Sequence, residues 1–392
     1  MFPSLCPLDQ RFFDVMSKRT DAPDQFIHAT FLAVASTLLG RKVWITFAGR
    51  RMYTTMWIVL LGRSSNLRKT TCIEFGRSLV ESTVEAEKLV ILPQSCSFEA
   101  FLEAFANRIG YDEAQSDLYA HTGFYTVPEF SVLLATLKKR YNEGMIQTLT
   151  DIYDSPVRVA RKTRGAGEFV LNRPFLSILS GTTLEWLTTY LGIEDVQSGF
   201  LPRFTFVPAG VRTRTIEFPD CRDTDDLASL IDELKRLFAF QGELICEPPA
   251  IDAYTALIRE FPTSEDTARS AFETRSQIMF LRLAMIHTVC NGATAVTLKA
   301  MEAVEPVWHW LHGVIPRLTG EELAFTKRDK VRVRVLRYLR THGNAATKSQ
   351  LLRMTHLPKR ELDVLLDTLI ASSLLRTEIR QSVTWYLLVE VE

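Results

Sequence analysis

The chain has 392 residues, 46% of them hydrophobic and 23% charged, a composition ordinary for globular domains and a length that asks for two or three of about 100–200 residues each. Its 46 Lys and Arg balance 46 Asp and Glu, so the whole molecule is not a polycation and any nucleic-acid site must be a local patch.

Residues 23–39 carry apolar positions Ile27, Phe31, Leu32, Val34 and Leu38 near helical spacing and predict a helix. KVWITF at 42–47 alternates like a strand, AGRR turns, and MWIVLL at 56–61 is an unbroken apolar run ending in glycine, as in a strand buried on both faces. Further strands are expected at 89–92, 124–127, 175–181 and 204–207, with helices at 70–86, 97–109, 129–140 and 144–153 between them. This alternation predicts an α/β domain with a mostly parallel sheet. From about 222 to 318 strands disappear, and helical periodicity predicts a helical subdomain; the polar stretch 263–275 fits a helix start or a loop. The tail reads as helices at 328–341, 347–355 and 359–373 followed by two short strands, the pattern of a winged helix-turn-helix. The expected division is 1–55, 56–215, 216–320 and 325–392.

Cys6, Cys72, Cys96, Cys221, Cys246 and Cys290 form no CxxC pair, which suits reduced, cytosolic thiols better than zinc or a disulfide framework. His309 and His312 lie three apart in WHWLH and read as a packed aromatic helix rather than a metal pair. The start MFPSLCPLDQRFF has no signal pattern, and the apolar stretch from Phe26 to Leu39, about 14 residues, falls short of the about 20 that span a bilayer. The expectation is a cytoplasmic protein without membrane contact.

The strongest local signal is LLGRSSNLRKTT, Leu60 to Thr71, between a buried strand and a helix. A P-loop sits at such a junction, where backbone N–H groups curl around phosphate, a lysine neutralises it and a hydroxyl meets Mg²⁺. Lys69 and Thr70 supply the lysine and the hydroxyl; Gly62, Ser64, Ser65, Asn66, Arg68 and Thr71 complete the candidate cradle for ATP. The spacing is imperfect, because the usual glycine positions 63 and 68 are arginines. A P-loop ATPase also needs an acid at the end of a neighbouring strand. FYTVPEF offers Glu129, although Pro128 stands where a second acid is usual, and Glu129 also fits a helix start after proline. Asp151 and Asp154 in LTDIYDSP are further acids for the same cleft. Thr182 in FLSILSGTT is placed to sense a γ-phosphate or to cap a helix. Arg203 in GFLPRF stands before a strand, as an arginine finger reaching a neighbouring subunit or a plain surface residue.

The order of LLGRSSNLRKTT, PEF, LTDIYD, SGTT, GFLPRF and a helical lid resembles the YfjI-like family, helicase-like P-loop proteins of unknown function from phages, plasmids and integrated elements. The resemblance covers roughly residues 20–315. It implies a RecA- or AAA+-like ATPase core, Lys69 and Thr70 for phosphate and Mg²⁺, Glu129 as the acid and Arg203 as the finger. It further implies Arg275, leading the helix RSQIMFLRLAMIH, as a sensor-type arginine. An arginine before the lysine is familiar in that family. Members are often joined to primase modules, so primase or replication partners and a homo-oligomer are implied.

From Lys327 to Glu392 the tail holds 13 Lys and Arg against 7 Asp and Glu. Leu362, Leu365, Leu366 and Leu369 are expected to face inward, leaving Lys359 and Arg360, with Arg376 and Arg380 on the hairpin, for DNA. The combined expectation is an ATP-dependent DNA motor or replication initiator of a mobile element. The alternative is a non-hydrolysing DNA-binding adaptor with a degenerate nucleotide site.

Overall fold

A computed structural model describes residues 2–62, 65–85, 88–94, 96–106, 121–163, 167–191, 195–196, 198–217, 224–319, 327–371, 374–380 and 383–389. It divides into two compact units, Met1–Tyr190 with Asp195–Ile315, and Leu191–Glu194 with Pro316–Glu392.

The first unit opens with α1 (Pro7–Ser17) and α2 (Asp24–Leu39), the latter buried on nearly every side because its sequence is apolar all round. β1 (Val43–Phe47) and β2 (Arg50–Met52) form an antiparallel hairpin. β3 (Trp57–Gly62) is the apolar run, buried at all six positions. It is followed by α3 (Lys69–Thr83), β4 (Val90–Ile91), α4 (Phe98–Ala106), β5 (Thr122–Val127), α5 (Phe130–Leu137) and α6 (Met145–Tyr153). A second hairpin, β6 (Arg158–Thr163) with β7 (Gly167–Asn172), precedes β8 (Phe175–Thr183), α7 (Leu184–Tyr190) and β9 (Phe204–Ala209).

The main sheet is five-stranded in the order β4-β5-β8-β3-β9, and each adjacent pair is parallel. From β3 the chain passes through α3 to the far edge at β4, and every later step across the sheet runs back the other way. Right-handed crossovers in opposite senses place their helices on opposite faces. The carboxyl end of β3 is therefore where the winding reverses, the place at which open α/β sheets form their crevice.

The helices that follow include α8 (Thr224–Ala239), α9 (Pro248–Glu260), α10 (Thr267–Cys290) and α11 (Leu298–His312). Two expectations are corrected here. The segment is not strandless, since β10 (Gly242–Glu243) pairs with β1, and β11 (Ile245–Cys246) pairs with β12 (Ala295–Val296). Two-residue strands are too short to show an alternating pattern. Nor does Arg275 lead its helix. Asp266 caps α10 by accepting from the amides of Ala268 and Arg269, which starts the helix at Thr267, two turns earlier. One apolar core joins Phe12, Phe31, Ile58, Ile73, Leu234 and Trp308, so the N-terminal helices, the sheet and the later helices fold together.

The second unit contains α12 (Lys327–Thr341), β13 (Ala345–Thr347), α13 (Lys348–Thr355), α14 (Lys359–Ala371), β14 (Leu375–Arg380) and β15 (Val383–Leu388). The expectation of two strands misses β13, which pairs with β15 in an antiparallel sheet ordered β13-β15-β14. Thr347 and Gln350 form a capping box on α13. Val335, Leu336, Leu339, Leu351, Leu362, Leu365, Leu366 and Leu369 make this unit's core. Among the described residues, no helix is long and apolar enough to cross a membrane.

Candidate functional site

Beyond β3 a short 3₁₀ turn covers Ser65–Leu67, and α3 begins at Lys69 with no side chain capping it. Ser64 lies outside the described residues. Arg68 has φ 54° and ψ 30°, the left-handed conformation for which glycine is the usual choice. Such a residue persists when its surroundings fix it, at a cost of about 1–3 kcal/mol. Here Arg68 Nε donates to Asp21 Oδ1 at 3.0 Å, and Arg212 donates to the other oxygen of the same buried carboxylate. Burial works to raise the Asp21 pKa, but the two guanidiniums outweigh it and hold the carboxyl below its usual value. Asp21 thus ties the loop after β3 to the loop after β9.

Lys69 is 7% exposed and lies back across the strand ends. A methyl group on Gly62 would stand 3.0 Å from Lys69 Nζ, and one on Gly181 would stand 3.2 Å from Lys69 Cβ. Gly62 closes β3 and Gly181 belongs to β8, its neighbour, so the lysine occupies a slot that two side-chain-free positions leave open. Burial lowers the pKa of Lys69, while the carboxylates of Glu129 and Glu185 work to raise it. Asn66, Thr70 and Thr71 are exposed beside it.

The next strands bring two more residues to this end of the sheet. Thr182 in β8 donates from Oγ1 to Glu129 Oε1, the residue that follows β5 and Pro128. Ser131 Oγ donates to the same oxygen at 2.6 Å, and the Ser131 amide points at it from 3.4 Å. Glu129 is therefore the N-cap of α5 and, at once, a half-buried carboxylate facing Thr182 and the field of Lys69. Gly62, Lys69, Glu129 and Thr182 come together at the carboxyl ends of three adjacent strands.

Other expected residues go elsewhere. Asp151 pairs with Arg161 on β6 and accepts from Gln147 at 2.9 Å. Asp154, at the end of α6, meets Arg203 Nη2 at 3.2 Å and Arg275 Nη1 at 3.3 Å. Arg203 stands just before β9, so this cluster lies at the amino end of the sheet, the end away from Lys69. Arg203 is 9% exposed, also donates to the Gly199 carbonyl and lies with Arg275 and Arg282 around the Tyr153 ring. It is packed inward rather than projecting.

In the second unit Lys359 and Arg360 are exposed at the start of α14, while Leu362, Leu365, Leu366 and Leu369 are buried. Arg376 and Arg380 are exposed on β14; Arg380 Nε donates to Glu378 at 2.8 Å.

Sequence reading missed two acids, Glu185 near Lys69 and Asp21 on Arg68. Glu185 lies in the first turn of α7, directly after the SGTT run, so the motif itself pointed at its neighbourhood. Asp21 carries no local signal, since only the fold brings it to Arg68. No protein-family model matches the sequence, and no curated protein matches it.

Proposed function

We propose that the chain is a P-loop ATPase of RecA or AAA+ type that works on DNA as a helicase-like motor or replication initiator. The observation that carries this reading is the slot for Lys69 between Gly62 and Gly181, with Glu129 and Thr182 ending the strands alongside. The sheet order supports it, because the loop in question leaves the strand at which the winding reverses. So does Arg68, which takes the left-handed backbone that a loop glycine would supply.

The residues present fit Mg²⁺-ATP. The first amides of α3 point along its axis at the loop, with no side chain capping them. Lys69 Nζ would move from above Gly62 to the β- and γ-phosphates, and the exposed Thr70 hydroxyl would meet Mg²⁺. Bound Mg²⁺-ATP supplies a phosphoryl group open to attack by water. Glu129 would orient that water, and Thr182 holds the carboxylate in place. The helix order of the second unit, with its exposed Lys359 and Arg360, supports a winged helix that contacts DNA. An assembly of several copies, with primase or replication partners, belongs to the same proposal.

A second reading, a non-hydrolysing DNA-binding adaptor, draws on Pro128 and on the capping role of Glu129. The test is magnesium-dependent ATP hydrolysis with and without DNA. The proposal expects turnover that DNA stimulates and that Lys69→Ala abolishes with the fold intact. ATP binding without turnover selects the adaptor; equal ATP affinity in wild type and Lys69→Ala overturns the site.

A further inference from the structure

At the amino end of the sheet a cavity of about 800 Å³ opens beside the β1–β2 hairpin. Arg41, Trp44, Arg50, Arg51, Tyr53 and Arg173 line it. Tyr53 precedes β3 and Arg173 precedes β8, so the six residues of β3, about 20 Å of strand, separate this cavity from Gly62.

The four arginines have distinct parts. Arg41 is 8% exposed; its Nη1 donates to the carbonyls of Ser155, Pro156 and Pro174, and its Nη2 donates to Tyr53 Oη at 2.9 Å. It forms the floor. Arg51 is exposed, with its guanidinium 4.2 Å from the Trp44 ring centroid. Stacking fixes the plane of a guanidinium and leaves its in-plane N–H groups directed outward, the geometry that takes phosphate oxygens in pairs. Arg50 is exposed beside it, and among the described residues neither Arg50 nor Arg51 pairs with a carboxylate. Arg173 closes the opposite wall, in a left-handed backbone of φ 51°.

Among the described residues the one acid on the wall, Asp154, is already engaged by Arg203 and Arg275. The lining is thus strongly cationic. The pKa of Arg41 is lowered first by burial and further by the charges of Arg173 and Arg51, against the help of Tyr53. The exposed guanidiniums of Arg50 and Arg51 meet no carboxylate among the described residues and suit an anion. The cavity is much larger than one phosphate needs, one side is an exposed hairpin, and an indole stands among the guanidiniums. Cationic grooves with interleaved aromatic rings hold phosphates and stacked bases of an unpaired strand.

We propose that this pocket binds single-stranded nucleic acid, with Arg50 and Arg51 on the phosphates and the Arg51–Trp44 stack as the platform for a base. The site is independent of whether Lys69 binds nucleotide.

The test uses the full chain without nucleotide and a labelled oligothymidylate of about 20 nucleotides, titrated at several salt concentrations. Arg50→Ala with Arg51→Ala removes two exposed side chains, so thermal melting should match wild type. The double variant should bind at least about tenfold more weakly, and its salt slope should flatten by roughly 1.4, at about 0.7 per phosphate contact on a single strand. Affinity for a blunt duplex should hold. Arg51→Lys keeps the charge without the planar stack and should recover the salt slope more than the affinity. Lys69→Ala should bind the oligonucleotide like wild type even if it loses ATP. Unchanged oligonucleotide affinity and slope in the double variant overturns the proposal. So does binding of inorganic pyrophosphate that depends on Arg50 and Arg51 with no oligonucleotide binding, which would make this a small-anion site.

Discussion

Thr182 Oγ1 donates a hydrogen bond to Glu129 Oε1, although the two residues stand 53 positions apart and belong to the ends of different strands. The parallel pairing of β5 with β8 sets Val127 opposite Ser180 and carries Glu129 and Thr182 beyond that pair together. A carboxylate held in this way by one hydroxyl from β8 and another from Ser131 has little freedom to turn from the slot of Lys69.

Glu129→Gln keeps the shape of the side chain and removes its charge. ATP affinity should stay within about threefold, while turnover falls by about 100-fold or more, the usual loss when a positioned base is removed. Thr182→Val should lower turnover less. Nucleotide binding and phosphate release measured on the same samples separate the two effects. Unchanged turnover in Glu129→Gln reduces the residue to the cap of α5.

A side chain at Gly181 competes with Lys69 for its slot. Gly181→Val should cost about 1–3 kcal/mol in overpacking and should weaken ATP binding by about tenfold or more by displacing the lysine. Chemical denaturation and ATP titration test this. Stability lost with ATP affinity retained would show that the lysine reaches phosphate by another path.

Arg203 is packed against Asp154, so an action on a neighbouring subunit's nucleotide requires it to leave that partner. Asp154→Asn should leave turnover equal or higher at temperatures where the variant is folded, and Arg203→Ala should abolish it. Mixing Arg203→Ala with Lys69→Ala subunits should restore part of the activity, because some interfaces then carry both intact residues. No restoration confines Arg203 to the fold.

Deleting residues 327–392 should weaken duplex DNA binding strongly and leave ATP binding intact, because the two units have separate cores. Lys359→Ala with Arg360→Ala should flatten the salt dependence by roughly 1–2, at about 0.9 per phosphate contact. A loss confined to one DNA sequence would mark base contact instead. Equal binding by the truncated chain would move the duplex site to the first unit.

Lys42 is buried beneath Phe238, with Nζ donating to that residue's carbonyl and lying 3.5 Å from its ring centroid. Burial, with a smaller effect of Lys88, pushes its pKa from 10.5 down to about 7. Above pH 10.5 the amine is neutral in both states and carries no penalty. As pH falls toward 7 the unfolded chain takes up the proton first, so stability drops, and below 7 the penalty is complete. Lys42→Met should therefore stabilise the protein at pH 7, by on the order of 2 kcal/mol after the loss of its hydrogen bond. The gain should fade near pH 10. Thermal melts of both proteins across that range check it; a gain that does not vary with pH would trace to packing.

What the sequence determined by itself was the set of elements with strong apolar patterns. MWIVLL reads as a doubly buried strand and is one, and the strands at 124–127, 175–181 and 204–207 fall where β5, β8 and β9 lie. The leucines of α14 were legible for the same reason, since helical spacing alone separates them from Lys359 and Arg360. The meeting of Lys69 with Glu129 and Thr182 was legible in part, because parallel strands align their carboxyl ends. Local patterns could not reveal pairings made across long stretches of chain. Asp21 holds Arg68 across 47 residues, Asp154 turns to Arg203 and Arg275 rather than to the cleft, and Arg173 joins the arginines of the β1–β2 hairpin only because β8 and β3 are neighbours. Charged side chains carry no periodicity that names their partners. Their partners are set by which strand ends and loops the packed core brings within hydrogen-bond reach, and that was decided by the tertiary structure alone.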